Sequence, residues 1–221
     1  MNELSLSLDD LKLSSNKMAP AYKLTYFDVK ALAEVTRLLF SYGSIEFEDN
    51  RFQKENWPEF KPSMPFGQVP VLEHNGKVAH QSLAIARYVA KQVKLVGNND
   101  WEDLEIDSIV DTINDFRSKI AAYHYEADEA AKAAKKEPLF NETIPYYLDK
   151  FEAIAKENNG HFALGRLTWA DLLWLGLIDY MNFMVGKDLT ADHPNLKAVI
   201  VNASANANIK AWLEKRPKTE L

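Results

Sequence analysis

The sequence predicts two architectures in one chain: a small α/β domain with a mixed four-stranded sheet, then an all-α domain. Three observations carry this. Apolar runs of strand length alternate with helical patterns over the first eighty-odd residues. Strand signals then vanish from Trp101 onwards, and the change of style falls at Gly97-Asn98-Asn99-Asp100, a cluster of turn formers. The expected organisation is a disordered tail over residues 1–20, an α/β domain over 21–97 and a helical domain over 101–221.

Tyr22-Lys23-Leu24-Thr25-Tyr26-Phe27 alternates as a first strand. A helix follows with Ala31, Val35, Leu38 and Tyr42 on one face and Gly43 as its stop. Glu46 to Phe52 reads as a polar second strand, followed by an aromatic, proline-rich loop from Trp57 to Gly67. Gln68 to Glu73 is a third strand, and Asn75-Gly76 signals a hairpin to a short fourth near Val78. Gln81-Ser82 is expected to cap a helix carrying Ile85, Tyr88, Val89 and Val93. In the second half, Ile106, Ile109, Val110, Ile113, Phe116 and Ile120 form a stripe along a long helix. A further helix runs from about Asn141 to Lys156. Another starts at Thr168-Trp169-Ala170-Asp171, a capping-box pattern. Its body, Leu172 to Met184, is apolar nearly all round and is expected to be the buried central helix. Helical stretches near 195–203 and 208–215 end the chain.

Composition removes several function classes. A net charge of −6 argues against a general nucleic-acid or anionic-membrane surface. No stretch is apolar enough to span a bilayer. Glu3, Asp9 and Asp10 spoil a signal peptide or basic presequence, so the expected location is the cytoplasm. There is no cysteine, hence no disulfide, zinc finger or CxxC pair, and any thiol chemistry must use a ligand's thiol. His74, His80, His124, His161 and His193 show no metal-ligand spacing, and Lys132, Lys135 and Lys136 read as a solvated helix edge.

Tyr26 is the residue of greatest interest. It stands at a strand-to-helix turn, where helix N–H groups and the macrodipole favour negative charge. A packed strand tyrosine fits the same pattern. Gln81-Ser82 at a helix start suits either plain capping or a carboxylate, and Trp57 with Lys61 suits either a carboxylate or an exposed loop anchor. Pro70, which cannot donate to a ladder, marks an edge or special turn.

Together, Lys23-Leu24-Thr25-Tyr26-Phe27, Trp57-Pro58, Pro65 to Leu72, His80 to Tyr88, Leu167 to Asp171 and the terminal Arg216-Pro217-Lys218-Thr219-Glu220-Leu221 resemble a glutathione S-transferase. The likeness is strongest to the sigma class and, within it, the insect branch. It implies a thioredoxin-like N-terminal domain, glutathione as co-substrate, small hydrophobic electrophiles as partners and a homodimer; no metal is expected, because Asn114 stands where a metal-holding relative has an acid.

The resemblance places Tyr26 against the glutathione sulfur. A thiol has a pKa near 8.5, and lowering it by about two units requires ~2.7 kcal/mol, within the roughly 1.5–3 kcal/mol of one hydrogen bond to a charged group. It also implies that Trp57, Lys61, Gln68, Val69, Gln81 and Ser82 bind glutathione, that Val69-Pro70 is cis, and that Asp115 reaches the partner subunit's glutathione. In a related prostaglandin synthase three acids hold a divalent ion at the places of Asp111, Asn114 and Asp115; Asn114 breaks that set. Leu32 replaces an arginine of some vertebrate members, and Gln68 a lysine. The electrophile pocket is expected near Phe27, Leu32, Arg117 and Leu173. The expected activity is conjugation of electrophiles such as lipid-peroxidation aldehydes. The alternatives are a prostaglandin-H isomerase or a non-catalytic crystallin-like or ligand-binding relative.

Overall fold

A computed structural model describes residues 21–219. The tail expected over residues 1–20 lies outside them, as do Glu220 and Leu221.

The sheet domain comprises β1 (Tyr22–Phe27), α1 (Glu34–Tyr42), β2 (Phe47–Phe52), the short α2 (Trp57–Phe60), β3 (Val71–His74), β4 (Lys77–His80) and α3 (Ser82–Gln92). The strand order is β2-β1-β3-β4, with β1 parallel to β2 and both other pairings antiparallel. This is the expected mixed sheet. Asn75 and Gly76 both take positive φ, 50° and 74°, as a two-residue hairpin turn of the right twist demands. The third strand is shorter than expected at its start. Pro70 has no N–H to give the ladder, so pairing begins at Val71, and the Val69-Pro70 bond is cis.

The helical domain holds α4 (Asp100–His124), α5 (Glu129–Pro138), α6 (Ile144–Glu157), α7 (Trp169–Val185), α8 (Pro194–Ser204) and α9 (Ala207–Lys215). Asn99 caps α4 by accepting from the backbone N–H groups of Trp101 and Glu102, ahead of an acidic first turn. The stripe from Ile106 to Ile120 is buried except for half-buried Ile109. Helix begins well before the expected Asn141. The Ala- and Lys-rich α5 has no buried face to give a periodic signal, yet it consists of strong helix formers with Asp128 as N-cap. A π-helical turn over Leu139–Thr143, beside Pro138, joins it to α6.

The central helix is α7. Asp171, fully buried, accepts from the N–H groups of Phe162 (2.8 Å) and Thr168 (2.7 Å), completing the expected capping box. Trp169 and Trp174 are packed in the core, and α7 lies against α1, α4 and α8. Gly176 lets α7 approach α1 closely. A Cβ there would stand 3.0 Å from the Val35 backbone nitrogen, so a side chain would force the two domains apart. The core is therefore continuous across both domains.

Candidate active site

Tyr26 ends near the turn that leads into α1 and is only 6% exposed. Burial pushes its phenol from the ordinary 10 up to about 12, against the pull of a backbone hydrogen bond from Leu32 and the nearby Arg37 and Arg117 cations. At neutral pH it is thus a protonated donor.

Beside it opens a cleft of about 340 Å³ lined by Phe27, Leu32, Trp57, Gly67, Gln68, Val69, Pro70, Gln81 and Ser82. The cleft is organised from below by stacked rings. Phe52 packs on Phe60 at 4.4 Å and on Trp57 at 5.9 Å, and Phe27 meets Trp57 edge-on at 5.4 Å. These contacts tie α2 to the ends of β1 and β2 and aim the indole side of the loop at the cleft. Lys61 reaches the same rim: its aliphatic stem lies 3.2 Å from where a Gly67 Cβ would be, and Gly67 itself has φ 58°.

Gln81 departs from the expected capping role. Its φ of 74° and ψ of 111° are unusual for a residue with a side chain, and the side chain makes no cap hydrogen bond. Its carbonyl still accepts the first helical bond, from the N–H of Ile85 at 2.9 Å. The amide side chain and the Ser82 end of α3 therefore remain available to a ligand. Val69, for its part, stands ahead of the β1–β3 ladder, which starts at Val71.

A second group reaches Tyr26 from the helical domain, and sequence reasoning found only part of it. Arg117 on α4 is held by Asn114 Oδ1 (3.2 and 3.1 Å) and Ser118 Oγ (2.7 Å). Burial lowers its pKa, and it couples electrostatically to Tyr180, Tyr26 and Tyr125. The hydroxyls of Tyr125 and Tyr180 lie 2.7 Å apart. Tyr180 is raised well above 10, first by burial and then by its bond with Tyr125. Neither tyrosine stood out in the sequence. Tyr180 sits in an apolar helix where an aromatic reads as core, and the available hint was its hydroxyl, which needs a partner when buried.

Other expected positions fall elsewhere. Leu173 is 1% exposed in the core, offers no surface to a ligand and does not line the cleft, contrary to expectation. Asp115 is exposed on α4 and does not line the cleft of its own chain. Asp111 is paired with Arg87 at 3.5 Å rather than clustered with Asp115. Among the described residues no group of three or more acids and histidines is placed to hold a metal ion.

Residues 22–91 match the model of the glutathione S-transferase N-terminal domain, and residues 114–216 that of the C-terminal domain. A glutathione S-transferase of Anopheles gambiae is 52% identical over 202 residues, 91% of this chain and 100% of that protein. The chain belongs to the glutathione S-transferase family. Glutathione S-transferase S1 of Drosophila melanogaster is 53% identical over 201 residues, 91% of this chain and 81% of the relative. Among solved structures, prostaglandin synthase D of Nilaparvata lugens superposes with a TM-score of 0.86 at 45% identity, covering 90% of this chain and 100% of that one. Family membership supports the expected fold and the reading of the chain as a transferase enzyme. It assigns no individual side chain a role.

Proposed function

We propose that this transferase conjugates glutathione to electrophilic carbon, with Tyr26 as the catalytic residue. The observation that carries the proposal is a buried, protonated phenol beside a cleft whose polar lining matches a small peptide with two carboxylates. Trp57 and Lys61 provide an indole N–H and an ammonium for one carboxylate. Gln81, Ser82 and the start of α3 serve the other, and the backbone of Val69, supported by Gln68, pairs with the middle of the peptide. Glutathione supplies the thiolate nucleophile of the reaction. Tyr26 keeps its proton on Oη and donates a hydrogen bond to the sulfur, stabilising the charged form.

Phe27 and Leu32 give the apolar floor of the electrophile site, and Arg117, Tyr125 and Tyr180 its polar wall. With an α,β-unsaturated aldehyde, negative charge develops on the carbonyl oxygen as carbon–sulfur bonding proceeds. A neutral hydroxyl backed by a desolvated cation stabilises that charge. The likeness to a prostaglandin synthase supports glutathione-dependent endoperoxide isomerisation as a second activity of the same cleft. The dimeric arrangement with Asp115 completing the neighbour's site and a cytoplasmic location belong to this proposal as well. Among the described residues no helix is long and apolar enough to cross a membrane.

The test is calorimetric titration with glutathione, followed by turnover of an unsaturated aldehyde and of prostaglandin H. Tight glutathione binding with aldehyde turnover is the expected result. Binding without turnover of either substrate would leave a ligand-binding protein and overturn the enzymatic reading.

A further inference from the structure

The loop that carries the Leu32 N–H to the Tyr26 phenol is held from the far end of the chain. Arg37, fully buried on α1, donates from Nη1 to the carbonyl oxygens of Val29 (2.7 Å) and Lys30 (3.3 Å). Its Nε donates to Asp49 on β2 at 3.0 Å. The same guanidinium meets Glu34 Oε2 at 3.2 Å. Glu34 is itself fully buried, and its other oxygen accepts from Trp212 Nε1 and from Arg216 Nη1, both at 2.9 Å. A second strand of the same tether joins Lys30 to Asp179 at 2.9 Å, with Arg216 Nη2 3.6 Å from that carboxylate.

Between these anchors stands Ala31, buried at φ 34°, a conformation that an alanine does not hold without outside support. Leu32 follows immediately, and its backbone N–H is close enough to the Tyr26 hydroxyl to pull the phenol's pKa down against burial. A phenol that accepts one hydrogen bond from a fixed backbone N–H has its own proton directed elsewhere, and accepting strengthens it as a donor. Burial of the Glu34 carboxylate is tolerable only with its donors in place. If Arg216 is lost, Glu34 is left with Trp212 and must draw more heavily on Arg37, which then slackens its hold on the Val29 and Lys30 carbonyls.

We propose that Arg216 and Trp212, outside the lining of the cleft, are positioning residues for Tyr26, acting through Glu34 and Arg37 on the 29–32 loop. The inference rests on the assignment of Tyr26 as the sulfur's hydrogen-bond donor. The charged and titratable groups coupled to that phenol are Arg37 from α1, Arg117 from α4, Tyr125 after it and Tyr180 from α7. Of these, only Arg37 belongs to the tether.

The experiment compares Arg216→Gln, Arg216→Lys, Trp212→Phe and Tyr26→Phe in the intact protein. Its readouts are the pKa of the thiol in the glutathione complex, from ultraviolet thiolate absorbance, and the pH profile of kcat. Arg216→Gln is expected to raise the thiol pKa and lower kcat about 3- to 10-fold at neutral pH, short of the ~100-fold that a full-ångström misplacement brings. The KM for glutathione stays within about twofold, because no binding contact is removed. Arg216→Lys restores most of the loss. Trp212→Phe, which removes the donor together with part of the ring volume, shifts the thiol in the same direction. The Arg216→Gln change adds nothing in a Tyr26→Phe background. If Arg216→Gln and Trp212→Phe lower thermal stability but leave the thiol pKa at the wild-type value, while Tyr26→Phe raises it, the tether is structural only and the inference falls alone. If Tyr26→Phe itself leaves the thiol pKa unchanged, the assignment of Tyr26 falls and takes the inference with it.

Discussion

Trp57, Gln68, Val69, Gln81 and Ser82 enter the cleft from loops and two helix starts of the sheet domain, as backbone groups or side chains at least partly open to solvent. Arg117, Tyr125 and Tyr180 approach Tyr26 from the helical domain. There a hydrogen-bonded tyrosine pair bridges 55 residues of chain, with Tyr180 and the cation shielded from water. Polar groups in water lose little on binding and favour ground and transition states alike. Shielded donors act in a medium of lower dielectric, where developing charge is worth more. On the proposed function the first wall serves binding and the second the chemical step, with Tyr26 at the seam between them.

The largest effect belongs at the seam. Tyr26→Phe should preserve the fold and glutathione binding while lowering turnover roughly 10- to 150-fold, the equivalent of about 1.5–3 kcal/mol of lost thiolate stabilisation. The same change has a signature in stability. The unfolded phenol titrates near 10 and the folded one near 12, so the stability linked to it is fully present below pH 10 and is lost as pH rises through 12. The phenylalanine variant should be spared that loss, on the order of 3 kcal/mol, measurable by denaturant unfolding at pH 9 and at the alkaline end of the window. A variant with wild-type turnover would dissolve the distinction between the two walls, since neither would have a reaction to serve.

Lys61→Ala and Gln81→Ala probe the binding wall. Each should weaken glutathione affinity about 5- to 30-fold and leave kcat at saturation nearly unchanged, the pattern of uniform binding. Calorimetry beside initial-rate kinetics separates the two quantities. A fall in kcat with affinity intact would reverse the assignment of roles.

Tyr180→Phe probes the other wall. It should leave glutathione affinity alone and reduce turnover of an unsaturated aldehyde by roughly 2- to 12-fold, the range of one neutral hydrogen bond. An electrophile with no carbonyl, such as an aryl halide, should be affected less. Equal losses on both substrates would mean that the hydroxyl supports packing rather than the developing oxyanion.

The binding wall was the more legible of the two in sequence. Its members sit in compact motifs, where a proline, a strand alternation or a helix start reports local geometry directly. Even there the backbone of Gln81 is illegible, because a positive φ at a glutamine leaves no compositional trace. The helical wall depends on which face of α7 meets α4. A helix apolar all round carries no such information, which is why Leu173 was expected in the pocket and Tyr180 was not. The tether through Glu34 and Arg37 was hidden for a related reason. Charged residues on a first helix read as solvent-facing, and only tertiary packing reveals that both are buried with partners on β2 and α9.

The smallest effect belongs to Asp115, which neither wall of its own chain contains. It is exposed on α4, one turn beyond Asp111, and Arg87 already satisfies Asp107 at 3.0 Å and meets Asp111 at 3.5 Å. Asp115 has no ion-pair partner among the described residues, and a carboxylate so placed suits a small cation delivered from outside the chain, such as the amino group of glutathione bound to a neighbouring copy. Such a contact opens to water and is screened, so Asp115→Ala should lower glutathione affinity by only ~1 kcal/mol, about fivefold. Raising ionic strength should weaken the wild type toward the mutant, since an exposed pair decays over a Debye length of about 8–10 Å. Sedimentation fixes the remaining condition. The wild type must be a dimer at assay concentration, and the Asp115→Ala protein must remain one, so that lost affinity reports the missing carboxylate rather than dissociation. A fully active monomer, or a dimeric mutant with wild-type affinity at low salt, would confine the glutathione site to the sheet-domain wall of a single chain.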